Sequence, residues 1–393
     1  MKILLIHNYY QQPGGEDAVF EQEIQLLQSA GHTVIEYKRS NTEIQSSGVA
    51  GKVAAAKRTV WASDSAQALR RLIYEQKPDI VHFHNTHFMI SPSAYYACKQ
   101  HGVPVVQTIH NYRLICPNAL LLRDGRVCED CLGKTPPWPG IVHKCYRGSR
   151  MQTAAVAAML TFHRLRQTWT KQVDRYIALT EFARQKLIEG GLPPEKITVK
   201  SNFVSPDPGI GTGDGEYALF VGRLSPEKGV DVLLDAWQQL GNKLPLKVVG
   251  DGPLSAMCWG IAGQTGNVTA LGSLSPSEVY AMMAKATCVI VPSVAYETFG
   301  RVIIEAFACG TPAIVSDLGA LAELVESGRT GLHFRPGDAN DLAAKVEWLL
   351  DHPEELADMR RNARAEYEAK YTAERNYEML MAIYEDVLSY SHP

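Results

Sequence analysis

The sequence lacks the features that define several large protein classes. No apolar run in its 393 residues approaches the ~20 needed to cross a bilayer, so no membrane span is expected. The formal net charge is only −3, too balanced for a general nucleic-acid binder. The start, Met1 to Asn8, carries a short apolar run without a small-residue cleavage site. It is expected to be a first strand rather than a signal peptide, and a cytoplasmic location is the matching expectation. Low-complexity tracts and short repeats are missing. So is the dinucleotide fingerprint G-x-G-x-x-G after the first strand; Gln12-Pro13-Gly14-Gly15-Glu16 stands there instead, which weakens a nicotinamide reading.

What is present describes a globular protein with ample core: 46% hydrophobic and 21% charged residues. The length suggests two domains of roughly 200 residues each. Strand-like runs alternate with helical patterns through the first half, at Lys2–Ile6, Thr33–Tyr37, Ile80–Phe83, Val105–Ile109, Tyr176–Ala178 and Ile197–Lys200. The alternation repeats in the second half, at Ala218–Val221, Lys247–Val249, Val268–Leu271, Cys288–Val291, Ala313–Val315 and Leu332–Phe334. Strands separated by helices predict parallel sheets with right-handed crossovers. Residues 205–216, rich in Gly and Pro, read as a linker between a domain at 1–204 and another at 217–371. Ligands of such sheets gather at the carboxyl ends of the strands.

The richest segment is Tyr296-Glu297-Thr298-Phe299-Gly300-Arg301, continuing through Glu305 to Gly310-Thr311-Pro312. Its two glutamates are eight positions apart; Glu297 is expected in the loop after a buried strand and Glu305 about two turns into the next helix. A helix beginning near Gly300 aims backbone amides at an anion, while the carboxylates suit hydroxyl groups. A ligand with phosphates and hydroxyls fits both. Upstream, Gly222-Arg223-Leu-Ser-Pro-Glu-Lys228-Gly229 follows a strand, and Arg223 and Lys228 bracket a turn able to grip one pyrophosphate. The bland alternative is a solvated turn in which Glu227 pairs either cation.

These segments resemble the E-x7-E signature and Arg/Lys pair of retaining glycosyltransferases of the GT-B fold (glycosyltransferase family 4, glycosyl transferases group 1). The resemblance covers essentially the whole chain and is most specific between Val221 and Pro312. It implies an α/β GT-B architecture, two doubly wound Rossmann-like domains facing across a cleft, with residues 372–393 returning as a helix to the first domain. It implies a nucleotide-diphosphate sugar donor and a hydroxyl acceptor, no catalytic metal, and a role in bacterial surface polysaccharide or glycolipid synthesis. Carried over residue by residue, Glu297 contacts hydroxyls of the donor sugar and Glu305 the nucleotide ribose. Arg223, Lys228 and the amides around Thr298, Phe299, Gly300 and Arg301 meet the phosphates. Arg301 stands where the family is usually apolar, and either adds a phosphate contact or points to solvent. Gly222, Gly250-Asp251-Gly252 and Leu271 lie by the nucleotide, Gly15 by the donor phosphate and acceptor, and His110 beside the reacting sugar carbon. For the Gly250 loop and Gly15 a simple turn remains the alternative, and for Leu271 core packing followed by a turn. Rival classes are a non-catalytic sugar-nucleotide-binding scaffold and a GT-B-like sugar-nucleotide epimerase.

Two features fall outside that resemblance. Cys116, Cys128, Cys131 and Cys145 lie within 30 residues, in an insertion at 112–148, with one C-x2-C and His143 as a spare ligand. A structural zinc clip, free thiols and disulfides all remain open. Cys98, Cys258, Cys288 and Cys309 read as core. Residues 144–175 hold seven Lys/Arg against one acid, and 48–61 hold no acid. Both are solvated faces or seats on an anionic membrane surface at the inner face of the cell membrane, carrying a lipid-linked acceptor. His82, His84 and His87 are explained by strand alternation ending in a loop rather than by a metal.

Overall fold

Four-residue tetrads with no polar member able to face water, such as Cys288–Val291, are buried on both faces and require helices above and below. The computed structural model describes residues 1–12, 14–43 and 55–391 and contains two units. The first comprises Met1–Leu121, Cys128–Ser201 and Asn376–Pro393; the second Leu122–Val127 and Asn202–Arg375. The chain passes between the units near 202 and 376, and the short hairpin Leu122–Val127 groups with the second unit.

The first unit holds β1 (Lys2–Tyr9), β2 (Thr33–Ser40), β3 (Ile80–Phe83), β4 (Val105–Thr108), β7 (Arg175–Ala178) and β8 (Ile197–Val199) in the order β2-β1-β3-β4-β7-β8. The hairpin strands are β5 (Leu122–Arg123) and β6 (Arg126–Val127). The second unit holds β9 (Ala218–Val221), β10 (Leu246–Val249), β11 (Val268–Gly272), β12 (Cys288–Val291), β13 (Ala313–Ser316) and β14 (Gly331–Phe334) in the order β11-β10-β9-β12-β13-β14. Every pair within the two six-stranded sheets is parallel. All strand carboxyl ends of one sheet therefore share one edge.

The helix Pro353–Lys370 ends before Tyr371, and a last helix, Ala373–Ser391, follows. Leu380, Ile383, Tyr384 and Val387 on that helix join Ile3, Leu5, Phe20, Ile24 and Ile80 in one core of the first unit. The Gly/Pro-rich stretch is irregular, as its composition requires, and is fixed to the second unit. Gly211 N donates to Cys309 O (2.9 Å), Gly213 N to Ala284 O (2.9 Å) and Gly215 N to Lys285 O (2.8 Å), while Arg364 pairs with Asp207 at 2.6 Å.

Leu380 is fully buried. Leu380→Ala is expected to cost about 2–5 kcal/mol in urea unfolding of the first unit; a loss below about 0.5 kcal/mol would show that the returning helix contributes little to that core.

Candidate active site

In a doubly wound sheet, the loops leaving the two strands at the point where strand order reverses diverge and open a crevice. In the second unit that point lies between β9 and β12. After β9 the chain forms a 3-10 turn, Pro226–Lys228, and Gly229 adopts the left-handed conformation (φ 66) before the helix Val230–Leu240. A Cβ at Gly229 would lie 1.9 Å from Pro292 O, so only glycine lets this turn press on the loop after β12. Val294 N donates to Glu227 O (3.0 Å) across the same contact. The outcome is a Lys228 Nζ–Glu297 Oε1 ion pair at 2.6 Å, with Ser293 Oγ donating to the same oxygen at 2.8 Å. The two side chains are 32% and 22% exposed, where an ion pair stabilises by about 0–1 kcal/mol. That is a weak brace, easily opened by a ligand. Glu227 accepts from Ser225 Oγ (2.6 Å).

Arg223 lies on the same loop, two residues beyond β9. Gly222 N donates to Val249 O (3.0 Å), Leu224 N to Asp251 O (3.0 Å) and Gly250 N to Gly272 O (2.8 Å), tying the loops after β9, β10 and β11 together. Asp251 accepts from Gly252 N (2.7 Å) and Ser255 Oγ (2.5 Å), so its carboxylate shapes the turn into the helix Ser255–Thr265. Leu271 is exposed at the end of β11.

Thr298 and Phe299 are buried, and the Phe299 ring meets Tyr371 edge-on at 6.3 Å. A Cβ at Gly300 would lie 2.7 Å from Ile303 Cδ1 and 3.1 Å from Leu321 Cδ2, so a larger residue there would have to displace the ends of these side chains. The helix Arg301–Ala308 begins immediately, which puts Glu305 just over one turn in, not two. Arg301 Nε lies 2.9 Å from Glu305 Oε1. Burial raises the Glu305 carboxyl above its usual range, with Arg301 pulling it down. The Tyr280 hydroxyl is pushed up to about 12 by burial and by the Glu305 charge.

In the first unit, Gly15 opens the helix Gly15–Ser29. Asp17 accepts from Gly14 N (2.8 Å) and its other oxygen lies 2.7 Å from His7 Nε2. His110 follows β4, and its Nε2 is 3.0 Å from His84 Nδ1; His84 Nε2 is 3.1 Å from Glu23 Oε1. Glu23 is held ionised, well below its usual range, by Lys200 and the two nearby histidines despite its burial. Burial lowers His84 to about 4, so the ring is neutral at pH 7. The direction of the chain follows: His84 Nε2–H donates to the carboxylate, leaving Nδ1 to accept from His110 Nε2–H. Lys200 Nζ donates to Glu23 Oε2 (3.4 Å) and Asn376 Oδ1 (3.0 Å), and His82 bonds Tyr384 OH (2.7 Å) and Thr108 Oγ1 (2.8 Å). Glu23, His82 and His84 bring three potential metal-ligand atoms within 4.8 Å. The Lys200 ammonium already supplies the positive charge there, so this is a hydrogen-bonded network rather than a cation site.

Sequence reasoning missed Glu23 and Glu16. The signal for Glu23 was an acid on the apolar stripe Phe20, Ile24, Leu27 of its helix. Glu16, whose oxygens accept from Asn85 Nδ2 (3.3 Å) and Asn111 Nδ2 (3.4 Å), is raised to about 8 by burial and by the adjacent Asp17 charge. No disulfide joins any of the eight cysteines, and Cys98, Cys258, Cys288 and Cys309 are buried in the core.

Two Rossmann-like units, one with a Lys–Glu pair at its switch point and the E-x7-E segment beside it, define a glycosyltransferase of the GT-B type. The family models agree. "Glycosyltransferase Family 4" matches residues 13–208 and "Glycosyl transferases group 1" matches residues 209–366. The chain belongs to this glycosyltransferase family. It is 27% identical over 295 residues to the alpha-D-kanosaminyltransferase of Streptomyces kanamyceticus, covering 73% of this chain and 71% of that one. It is 30% identical over 220 residues to an uncharacterised glycosyltransferase of Methanocaldococcus jannaschii, covering 56% of this chain and 61% of that protein's length. Anabaena HepE in complex with UDP-glucose shares the fold, with a TM-score of 0.67 at 19% identity over 97% of this chain and 100% of that one.

Between the ordinary carboxylate value of 4.5 and about 8, the folded chain keeps a proton on Glu16 that the unfolded chain has released. Stability therefore falls as pH rises through that window and levels off above it. Glu16→Gln should flatten this component of the pH–stability profile from urea unfolding; a slope identical to the wild type's would contradict the assignment.

Proposed function

We propose that the chain is a retaining glycosyltransferase, moving a hexose from a nucleoside-diphosphate sugar to a hydroxyl acceptor in surface polysaccharide or glycolipid synthesis. The observation that carries this reading is the partly exposed Lys228–Glu297 pair, set at the switch point beside the first turn of the helix Arg301–Ala308. A charged hydrogen bond to phosphate is worth roughly 1.5–3 kcal/mol, more than the exposed pair itself, so a diphosphate draws Lys228 away from Glu297. Arg223 and the amides of Thr298, Phe299, Gly300 and Arg301 take further phosphate oxygens. Glu297, released from the lysine, turns to hydroxyls of the donor sugar. Glu305, whose side chain is 15% exposed beside Arg301, accepts from a ribose hydroxyl.

In the reaction, the bond from the anomeric carbon to the diphosphate oxygen breaks and a bond to the acceptor oxygen forms on the same face. The acceptor proton passes to the departing diphosphate, whose growing charge Arg223, Lys228 and the amides stabilise. Glu23 and His84 fix the proton of His110 on Nε2, the histidine to which the family resemblance assigns a role at the reacting carbon. UDP-sugars are the first donors to test, since HepE of the same fold was solved with UDP-glucose.

A lipid-linked acceptor presented at an anionic membrane surface, approached from the cytoplasmic side, is supported by one face of the first unit. The helix Arg150–Leu165 exposes Met151 and Leu165, next to exposed Trp138 and Val142, and an apolar groove runs between Ile141, Ala158 and Phe162. Residues 144–175 around it carry seven Lys/Arg against one acid. Apolar side chains ringed by cations match the acyl boundary and headgroups of anionic lipid.

Lys228→Ala is expected to lower release of free nucleoside diphosphate in the presence of acceptor by about 100-fold or more, while changing unfolding free energy by no more than about 1 kcal/mol. Wild-type rates in that variant would refute the phosphate role. Co-sedimentation should show binding to anionic but not zwitterionic vesicles, reduced severalfold in Met151→Glu/Leu165→Glu; equal binding to both vesicle types would remove the membrane reading.

A further inference from the structure

Two arginines of the first unit stand over one tyrosine ring. The guanidinium carbon of Arg113 lies 4.8 Å from the centre of the Tyr146 ring, and that of Arg147 lies 5.4 Å from it. Arg147 is also 5.9 Å from the Phe88 ring, which meets the His87 ring at 3.6 Å between centres. His87 and Tyr146 are 6.3 Å apart by the same measure, so the five side chains form one group. Like charges sharing a ring repel each other, and an acidic side chain between them would be the ordinary remedy. Among the described residues neither arginine makes an ion pair. The carboxyl tied into the group is that of Glu16, which accepts from Asn111 Nδ2 (3.4 Å), while Asn111 Oδ1 accepts from Arg113 N (3.0 Å). Raised to about 8, Glu16 is mostly protonated at pH 7 and leaves the arginines uncompensated.

Hydrogen bonding in the group is incomplete at buried atoms. His87 is 5% exposed and its Nε2 has no partner among the described residues; Arg113 Nε is likewise buried without one. Stacking serves the face of a guanidinium but not its N–H edge, and the bond from Arg113 Nη1 to Pro117 O uses only one corner of that edge. The His87 backbone, by contrast, is fully tied. Its N donates to Asn85 Oδ1 (3.0 Å), and its carbonyl accepts from Asn8 Nδ2 (2.6 Å) and Asn41 Nδ2 (3.3 Å). A fixed backbone thus presents a ring with an idle buried nitrogen, which native structures rarely leave without a role. His87 lies in the loop after β3, Arg113 just beyond β4 and Glu16 in the helix after β1, so the group sits at the carboxyl edge of the first sheet.

We propose that Arg113, Arg147 and His87 form a phosphate subsite in the first unit, and that the acceptor hydroxyl is carried on a phosphate monoester. This deepens the glycosyltransferase reading and rests on it. Two guanidiniums neutralise a phosphate dianion, and donors on three side chains match its three terminal oxygens, where a carboxylate offers two. A bound phosphate takes N–H groups from Arg113 Nε and His87 Nε2 and removes the repulsion across Tyr146. The ester belongs either to a soluble sugar phosphate or to a lipid headgroup, and the recognising chemistry is the same for both.

Phenylglyoxal labelling of the full chain, read peptide by peptide by mass spectrometry, tests this. Glucose 1-phosphate should slow labelling of both Arg113 and Arg147 severalfold, while methyl glucoside should not and methyl glucuronide should do so far less. Arg147 is exposed, so Arg147→Gln should fold normally and lose most of the protection at Arg113. Arg71→Gln, on an exposed helix face, should keep it. Vesicles containing phosphatidic acid form the second arm: protection by these as well assigns a lipid-borne ester, and protection by the sugar phosphate alone a soluble one. Arg223 in the same samples reports the donor site through protection by UDP, GDP or ADP, so the donor reading and the subsite fail separately. No slowing by glucose 1-phosphate, equal slowing by methyl glucoside or methyl glucuronide, or protection of Arg113 unchanged in Arg147→Gln would each overturn the proposal.

Discussion

A glycine pressed against a carbonyl sets the geometry of the switch point in the second unit. Gly229 meets Pro292 O at a distance no side chain tolerates, so the loops after β9 and β12 share one surface at the switch point. Lys228 and Glu297, 69 positions apart in sequence, become a contact pair as a result. The pair is weak by the measure of stability and well placed by the measure of ligand exchange. Its members sit at the only point of this sheet where the topology itself opens a crevice, and the first turn of the helix Arg301–Ala308 begins beside them. Gly250 serves the same end, since a Cβ on it would lie 1.9 Å from Gly222 O.

The first unit is organised around a buried charge instead. Glu23 and Lys200 are both nearly inaccessible, and removing one partner of such a pair typically costs about 3–5 kcal/mol. Around them the network reaches in two directions. Asn376 and Tyr384 tie in the returning helix, and His84 passes the polarity on to His110. One buried carboxylate thus links the last helix of the chain to the ring at the end of β4.

Strands were legible because parallel strands covered on both faces appear as short unbroken apolar runs: Ile80–Phe83, Ala218–Val221 and Cys288–Val291 coincide with the sequence reading end to end. The turn at Pro226–Gly229 was legible from its proline and glycine. Contacts were less so. Nothing local to Lys200 announces Glu23, 177 positions away, and Asn376 is nearly as far. The hairpin Leu122–Val127 is too short to leave a period. The helix start near Gly300 was legible, but the depth of Glu305 was overstated, since five residues from Gly300 make only about 1.4 turns. Composition correctly gave residues 205–216 as irregular, but backbone hydrogen bonds to Cys309, Ala284 and Lys285 have no sequence signature.

The most direct examination of the central claim is a crystal structure of the chain soaked with a nucleoside diphosphate. The account predicts diphosphate oxygens within hydrogen-bond distance of Lys228 Nζ, the Arg223 guanidinium and the amides from Thr298 to Arg301, with Lys228 drawn off Glu297. A diphosphate bound at another edge of the second unit, or one that leaves the Lys228–Glu297 pair intact and untouched, would contradict it.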